Sequence, residues 1–328
     1  KKIIIHPGTN FKLSPNVNIV FSNQVIAEGT LEKPIIFEKK NKEENSWGTI
    51  ALQGKRTRGS KFANVVIQGG SGGLVNQIRY VSMFSLHNTA DIVIKKLKMK
   101  NNSIYDDMMH IIYCNNITID DLVLKNIYSD AIDIDISKKI IIKNATIIKP
   151  VNDSIDLMET EALIESSYIT GAGDKAISAG ENSNIIINNS IFYKNNIGVA
   201  SKDKSNVYIL YSDFNNNKTQ LSAYKKNWQY GGGGSAKIYR SKITGESNYF
   251  SSTSKSNITI VDSSIVGDVN KEGENLFFMN NVNFSNLNKT SSKKDILIDH
   301  PLYSYILSVK NKNKRGSDII KKKSLKLN

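Results

Sequence analysis

Ser183-Asn184-Ile185-Ile186-Ile187-Asn188-Asn189-Ser190-Ile191 decides the fold. Its polar and aliphatic residues alternate with the period of a strand, which sends successive side chains to opposite faces, and not with the period of a helix. Runs of this kind recur, with Ile92, Ile117, Ile140, Leu163, Ile185 and Val207 in equivalent places at spacings of 25, 23, 23, 22 and 22 residues. A repeat that short cannot bury its own apolar face, so each copy must stack on its neighbours. The chain therefore reads as all-β, a right-handed parallel β-helix. Residues 1–75 form irregular N-terminal turns, 76–268 the main solenoid, and 269–328 a cap with a basic tail, all in a single domain.

A length of 328 residues is no obstacle, because a solenoid has no single core to outgrow. Hydrophobic residues at 39% and charged residues at 23% exclude a disordered chain. No apolar run approaches the roughly 18 residues of a membrane span. Cys114 is the only cysteine, so no intrachain disulfide forms and thiols do not report the compartment. The opening Lys1-Lys2-Ile3-Ile4-Ile5-His6 has no long apolar region or small-residue cleavage site. Either export is absent or a signal has been removed; the second is expected, giving a secreted, periplasmic or cell-surface protein, because the repeat proteins that this chain resembles are used mostly outside the cytoplasm.

The formal charge of +14 sets up a field that favours polyanions. Part of it is a solvated end, since Lys310 to Lys326 holds eight Lys or Arg residues. Without the interleaved aromatics of a single-strand platform, nucleic acid is not the expected partner. An acidic polysaccharide is, with the protein acting as a monomer.

Turn and strand punctuation begins early, with Pro7-Gly8-Thr9, Gly29-Thr30, Pro34-Ile35-Ile36-Phe37 and Trp47-Gly48-Thr49-Ile50. The runs Gly69-Gly70-Ser71-Gly72-Gly73 and Gly231 to Gly234 read as loops, and neither has the spacing of a phosphate-binding loop. Asn116, Asn184, Asn206 and Asn257 precede aligned aliphatics, as a structural amide ladder would. The stretch from Val207 to Ile238 is longer than the common turn, so Lys225 to Gly234 is expected to protrude beside the turns. From about Glu272 the pattern dissolves through Leu276-Phe277-Phe278-Met279 into the cap.

Laying turn on turn brings out columns of acids. Asp107, Asp130, Asp153 and Lys175 follow one another at 23, 23 and 22 residues, and three places on come His110, Asp133, Asp156 and Ser178. A third column holds Asp135, Met158, Gly180, Lys202 and Tyr224, with Glu181 and Asp203 one place beyond. Adjacent strands lie about 4.8 Å apart, so aspartates repeated in a column repel unless a cation or shared protons relieve them. Single aspartates fill turns for local reasons, but those reasons do not stack them. Hard oxygen ligands on a rigid frame suit Ca²⁺, and Asp130, Asp133, Asp153 and Asp156 form a square of carboxylates with Asp107 as a fifth.

Ser129-Asp130-Ala131-Ile132-Asp133 and Asn152-Asp153-Ser154-Ile155-Asp156-Leu157 resemble the calcium site of family 9 polysaccharide lyases, in the pectate-lyase-like β-helix superfamily. The resemblance covers about Ile92 to Val207. It implies that Asp130, Asp153 and Asp156 hold Ca²⁺ and that a lysine is the Brønsted base, while Asn152 stands where the family has a further aspartate. The Gly-His-Gly and Arg-Ile-Lys signatures of polygalacturonases are missing. Gly173-Asp174-Lys175, Gly180-Glu181 and Ser201-Lys202-Asp203 are also similar to uncharacterised bacterial β-helix repeat proteins.

Lyase chemistry removes the proton α to a uronate carboxylate, and Ca²⁺ helps by neutralising the charge that develops. Lys175 is the expected base and Lys202 the alternate, although a lysine near its usual pKa of about 10.4 needs help to be neutral. Tyr224 would protonate the leaving oxygen, and His110 is a modulator beside Asp133. Asp135, Asp174, Glu181, Asp203 and Trp228 are expected to bind substrate, Trp228 by stacking on a sugar ring. C5-epimerisation shares the first step. Hydrolysis by paired aspartates and a non-catalytic carbohydrate-binding or adhesion rod are the other readings.

Overall fold

The computed structural model describes residues 1–284 apart from 254 and 281. The basic tail and most of the expected cap therefore lie outside the described residues. The chain divides into two units, Lys1–Asp156 and Leu157–Asn328, and each is a parallel β-solenoid.

In the first unit three ladders of strands run side by side. One stacks Ile3–Ile5, Val25–Glu28, Lys61–Gln68, Ala90–Lys100, Asn115–Lys125 and Lys138–Lys143. A second joins Asn10–Leu13 and Ile35–Lys39 to the far half of Lys61–Gln68. The third, which carries the acidic columns, stacks Ile19–Phe21, Ile50–Gln53, Ser82–His87, Asp107–Ile112 and Asp130–Asp135. The N-terminal turns pair as regularly as the later ones, although their lengths vary in sequence, because the irregularity is confined to the connections. Part of one glycine-rich connection is itself ordered, for Gly73–Val75 forms an antiparallel pair with Ile78–Tyr80.

Register explains the aliphatic period. Ile92 faces Ile117 and Ile117 faces Ile140, with Ile94, Ile119 and Ile142 stacked two places on, and all six are buried. In the second unit Ile185, Val207, Ala236 and Ile258 form the matching column, and the rings of Phe192 and Phe214 stack with centroids 4.8 Å apart. One assignment moves by a single place: Ala162, not Leu163, faces Ile185, and Leu163 faces Ile186. Both Leu163 and Ile186 are buried although they point away from the Ile185 column. The alternation thus hides a second apolar column, which a period-two reading of one strand assigns to solvent.

Polar ladders hold the turns together. The Oγ atoms of Ser190, Ser212, Ser241 and Ser263 accept in turn from the backbone N–H of Ser167, Ser190, Ser212 and Ser241, at 3.2, 3.1, 3.0 and 3.1 Å. The buried Asn195 amide donates to Asn217 Oδ1 at 2.9 Å. Asn184, Asn206 and Asn257 do share a column, with Ser235 between the last two. Asparagine has a further role at corners, where Asn88, Asn126, Asn144, Asn189 and Asn216 adopt positive φ, a region that Asn tolerates far better than bulky residues do. The pattern also continues beyond its expected end, because Leu276–Met279 pairs in register with Asn257–Val261.

Candidate active site: a stacked carboxylate cluster

Register places Asp107 opposite Asp130 and His110 opposite Asp133, with Asp135 opposite Ile112. The Asp107–Asp130 and His110–Asp133 pairings expected from spacing are therefore present, and acidic side chains converge there. One oxygen each from Asp106, Asp107 and Asp130 lie within 4.8 Å of one another, as do ligand atoms of His110, Asp133 and Asp135. The next turn adds Asp153, whose backbone N–H donates to Asp130 Oδ1 at 2.6 Å, and Asp156, whose charge bears on both Asp130 and Asp133. Parallel pairing is the cause: it repeats a residue type at one strand position every turn and sets the copies one strand spacing apart.

Burial and crowding make these acids hard to ionise. Burial first, then the charges of Asp133, Asp106, Asp130 and Asp135, push Asp107 up to about 9. Burial and then Asp135, Asp156 and Asp130 push Asp133 up to about 8. Asp130 rises to about 7 by burial, against the pull of the Asp153 N–H. Asp107 is only 3% exposed, whereas the Asp133 side chain keeps 27% of its surface, so Asp133 is the acid that a large substrate can meet.

Two histidines close one side. His87 Nε2 lies 3.2 Å from His110 Nδ1, and His110 Nε2 lies 3.3 Å from Asp135 Oδ2 and 3.9 Å from Asp133 Oδ2. Burial and the neighbouring His110 lower His87 to about 4, so it is neutral at pH 7. With Asp135 as a carboxylate, His110 Nε2–H is the donor to it and His110 Nδ1 accepts from His87 Nε2–H, a directed chain from His87 through His110 to Asp135. Asp106 and His87 are missed from sequence. Asp106 had only its place beside Asp107 as a signal. His87 precedes His110 by the same interval that separates Asp107 from Asp130, yet it faces Ile112. The turn that links those two strands is longer than the one after it, so equal spacing does not align the histidines.

The donor set fits a hard cation. Ligand oxygens sharing one Ca²⁺ at about 2.3 to 2.6 Å lie no more than about 5 Å apart, a limit that the Asp106, Asp107 and Asp130 oxygens meet. The raised affinity of the cluster for protons is what like charges without a counterion produce.

The remaining expected residues lie in the second unit. Lys175 is ion-paired with Asp174, an interaction of the ammonium form, which has no lone pair to accept a proton. Lys202 is 3% exposed and stands in register with Tyr224. A Cβ on Gly180 would come within 3.0 Å of Lys202 Cε, so the glycine makes room for that buried stem. Asp203 is buried, and its Oδ1 accepts from the N–H groups of Lys226 and Asn227, both at 2.8 Å. Glu181 sits at a positive-φ corner, and Trp228 stands exposed on the predicted protrusion.

No family profile matches the sequence, and neither does any curated protein. Solved structures do match. The catalytic domain of a GH87 α-1,3-glucanase aligns over 87% of this chain and 65% of its own length, at 10% identity and a TM-score of 0.59. The exopolygalacturonase of Thermotoga maritima aligns over 84% of both chains, at 13% identity and 0.52. An alginate lyase from Paenibacillus sp. str. FPU-7 aligns over 85% and 93%, at 15% identity and 0.46. The protein shares the right-handed parallel β-helix fold with these structures. Among the described residues, no helix is long and apolar enough to cross a membrane.

Proposed function

We propose that this chain is a carbohydrate-active enzyme that cleaves an acidic polysaccharide outside the cytoplasm, with the carboxylate cluster of its first unit as the reacting centre. The observation that carries this reading is the grouping of Asp133, Asp135 and His110 on the outward face of two adjacent strands, with the buried Asp107 and Asp130 at the start of the same strands. Hydrolysis is the reaction this arrangement supports best. Asp133, raised to about 8, is a carboxylic acid at neutral pH and gives its proton to the glycosidic oxygen as the C–O bond breaks. Asp135, oriented by His110, attacks the anomeric carbon, and water then releases the sugar as the Asp133 carboxylate takes the water's proton, the route that carboxyl oxygens within 4.8 Å of one another favour. The α-1,3-glucanase and exopolygalacturonase on this fold are in keeping with such a reaction but share too little sequence to assign it.

Ca²⁺-assisted elimination or epimerisation is the second reading, favoured by the oxygens of Asp106, Asp107 and Asp130, which are close enough to share one cation. With Asp153 and Asp156 beside them, these residues would hold Ca²⁺, which when bound neutralises a uronate carboxylate. This reading needs a base that reaches substrate, whereas Lys175 is held in an ion pair with Asp174 and Lys202 is 3% exposed.

The test is incubation with a panel of uronate and neutral polysaccharides, in chelator and in Ca²⁺. Release of reducing ends in chelator, lost in Asp133→Asn, supports hydrolysis. A calcium-dependent rise in the ultraviolet absorbance of unsaturated uronate, lost in Asp130→Asn, would replace it with elimination. No product on any polysaccharide under either condition would leave a binding rod.

A further inference from the structure

Trp228 is 78% exposed, yet the segment that carries it is tied down along its length. Asp203 Oδ1 holds the N–H groups of Lys226 and Asn227. Asn227 Oδ1 accepts from Gln229 N–H at 3.1 Å and caps the short 3₁₀ turn Trp228–Tyr230. Gly231 ends that turn in the left-handed conformation. Further along, Gly233 donates to Lys255 O and accepts from Lys204 N–H, each at 3.0 Å, and Gly234 donates to Tyr224 O at 3.2 Å. The Tyr230 hydroxyl donates to Glu159 Oε1 at 3.0 Å. A lone apolar side chain on a loose loop would need no account. A rigid backbone that keeps an indole in water is different, because its ordering cost has been met before any partner arrives.

We propose that Trp228 is a stacking platform for an anionic pyranose, a subsite on the second unit that orients acidic polysaccharide. The C–H face of a pyranose ring matches an indole in shape and polarity. The surroundings lean cationic: exposed Lys225 and Lys226 precede the turn, and exposed Lys204 runs beneath Gly231 and Gly232, where a Cβ on Gly232 would come within 3.1 Å of its Cγ, so three lysines outnumber Glu159 and the half-buried Glu181, the solvent-accessible acids whose charge bears on Tyr230. Their ammonium groups suit carboxylated or sulfated sugars. A single indole, instead of a row of aromatics, is what separates this site from a platform for successive nucleic-acid bases. Asp203 acts as a positioning residue, since it fixes the loop without reaching solvent. The choice of a sugar rests on the proposed function, but binding is read with cleavage disabled, so either can fail without the other.

The chain has two tryptophans, and Trp47 is 0% exposed, so ligand-induced changes in tryptophan emission report Trp228. The experiment titrates the full chain carrying Asp133→Asn with polygalacturonate oligosaccharides, a neutral glucan of equal length and a single-stranded oligonucleotide. Expected with polygalacturonate are a blue shift and protection from acrylamide quenching. Retention on immobilised polygalacturonate should weaken roughly tenfold in Trp228→Ala. The double substitution Lys225→Gln, Lys226→Gln should weaken it several-fold and flatten its salt dependence. An unchanged spectrum, equal retention of Trp228→Ala, equal affinity for the neutral glucan, or tighter binding of the oligonucleotide would overturn the proposal.

Discussion

The pH dependence of stability offers the most direct probe of the carboxylate cluster, through Asp107→Asn. Asp107 is forced up from 3.8 to about 9 in the folded protein. Between those values the folded state binds a proton that the unfolded state has released, so stability is highest below about pH 4 and is lost as pH rises through the window to about 9. From 3.8 to pH 7 is about three pH units, and at about 1.4 kcal/mol per unit Asp107 alone lowers stability by roughly 4 kcal/mol at neutral pH. Asparagine is the neutral isostere and escapes that loss. In chelator, urea unfolding should therefore show wild type and Asp107→Asn equally stable near pH 4. The variant should be the more stable by a margin that widens with pH, on the order of 4 kcal/mol at pH 7. This runs against the usual direction for a change at a buried site. A variant less stable than wild type at pH 8 in chelator, or a difference that does not change with pH, would refute the reasoning. Under the calcium reading, Ca²⁺ should stabilise wild type at pH 7 by mass action and the variant much less.

Hydrolysis by Asp133 should fade on the alkaline side as its acid form is lost above about 8, and a kcat/KM profile that still climbs at pH 9 would exclude Asp133 as the proton donor. Imidazole NMR should find His87 neutral from pH 5 to 8, with its midpoint near 4; a midpoint near 6.5 would break the directed chain to Asp135. Burial raises the Cys114 thiol to about 11, so it should resist a thiol reagent at pH 8 until the chain is unfolded. Ile142→Ala, in the fully buried column below Ile119, should cost about 2 to 5 kcal/mol in urea unfolding.

The sequence by itself determined that this chain stacks short strands in parallel. The inward positions of each rung must be aliphatic, and a turn of nearly constant length brings them back in phase, so Ile92, Ile117 and Ile140 declare the fold before any coordinate is known. The same logic made Asp107 over Asp130 and His110 over Asp133 legible, because a ladder converts equal spacing into spatial contact. Spacing failed where turn length changed. A longer turn hid His87 from His110, and a slip of one place put Leu163 where Ala162 belongs. Burial and side-chain direction belonged to tertiary structure alone. Only the packed turns could bury Asp107 while leaving Asp133 more accessible, draw Lys175 onto Asp174, bury Lys202 over a glycine and leave Trp228 in solvent. Which acid keeps its proton depends on how much water and how many like charges surround it, and that is a property of neighbours brought together from different turns and not of any one stretch of chain.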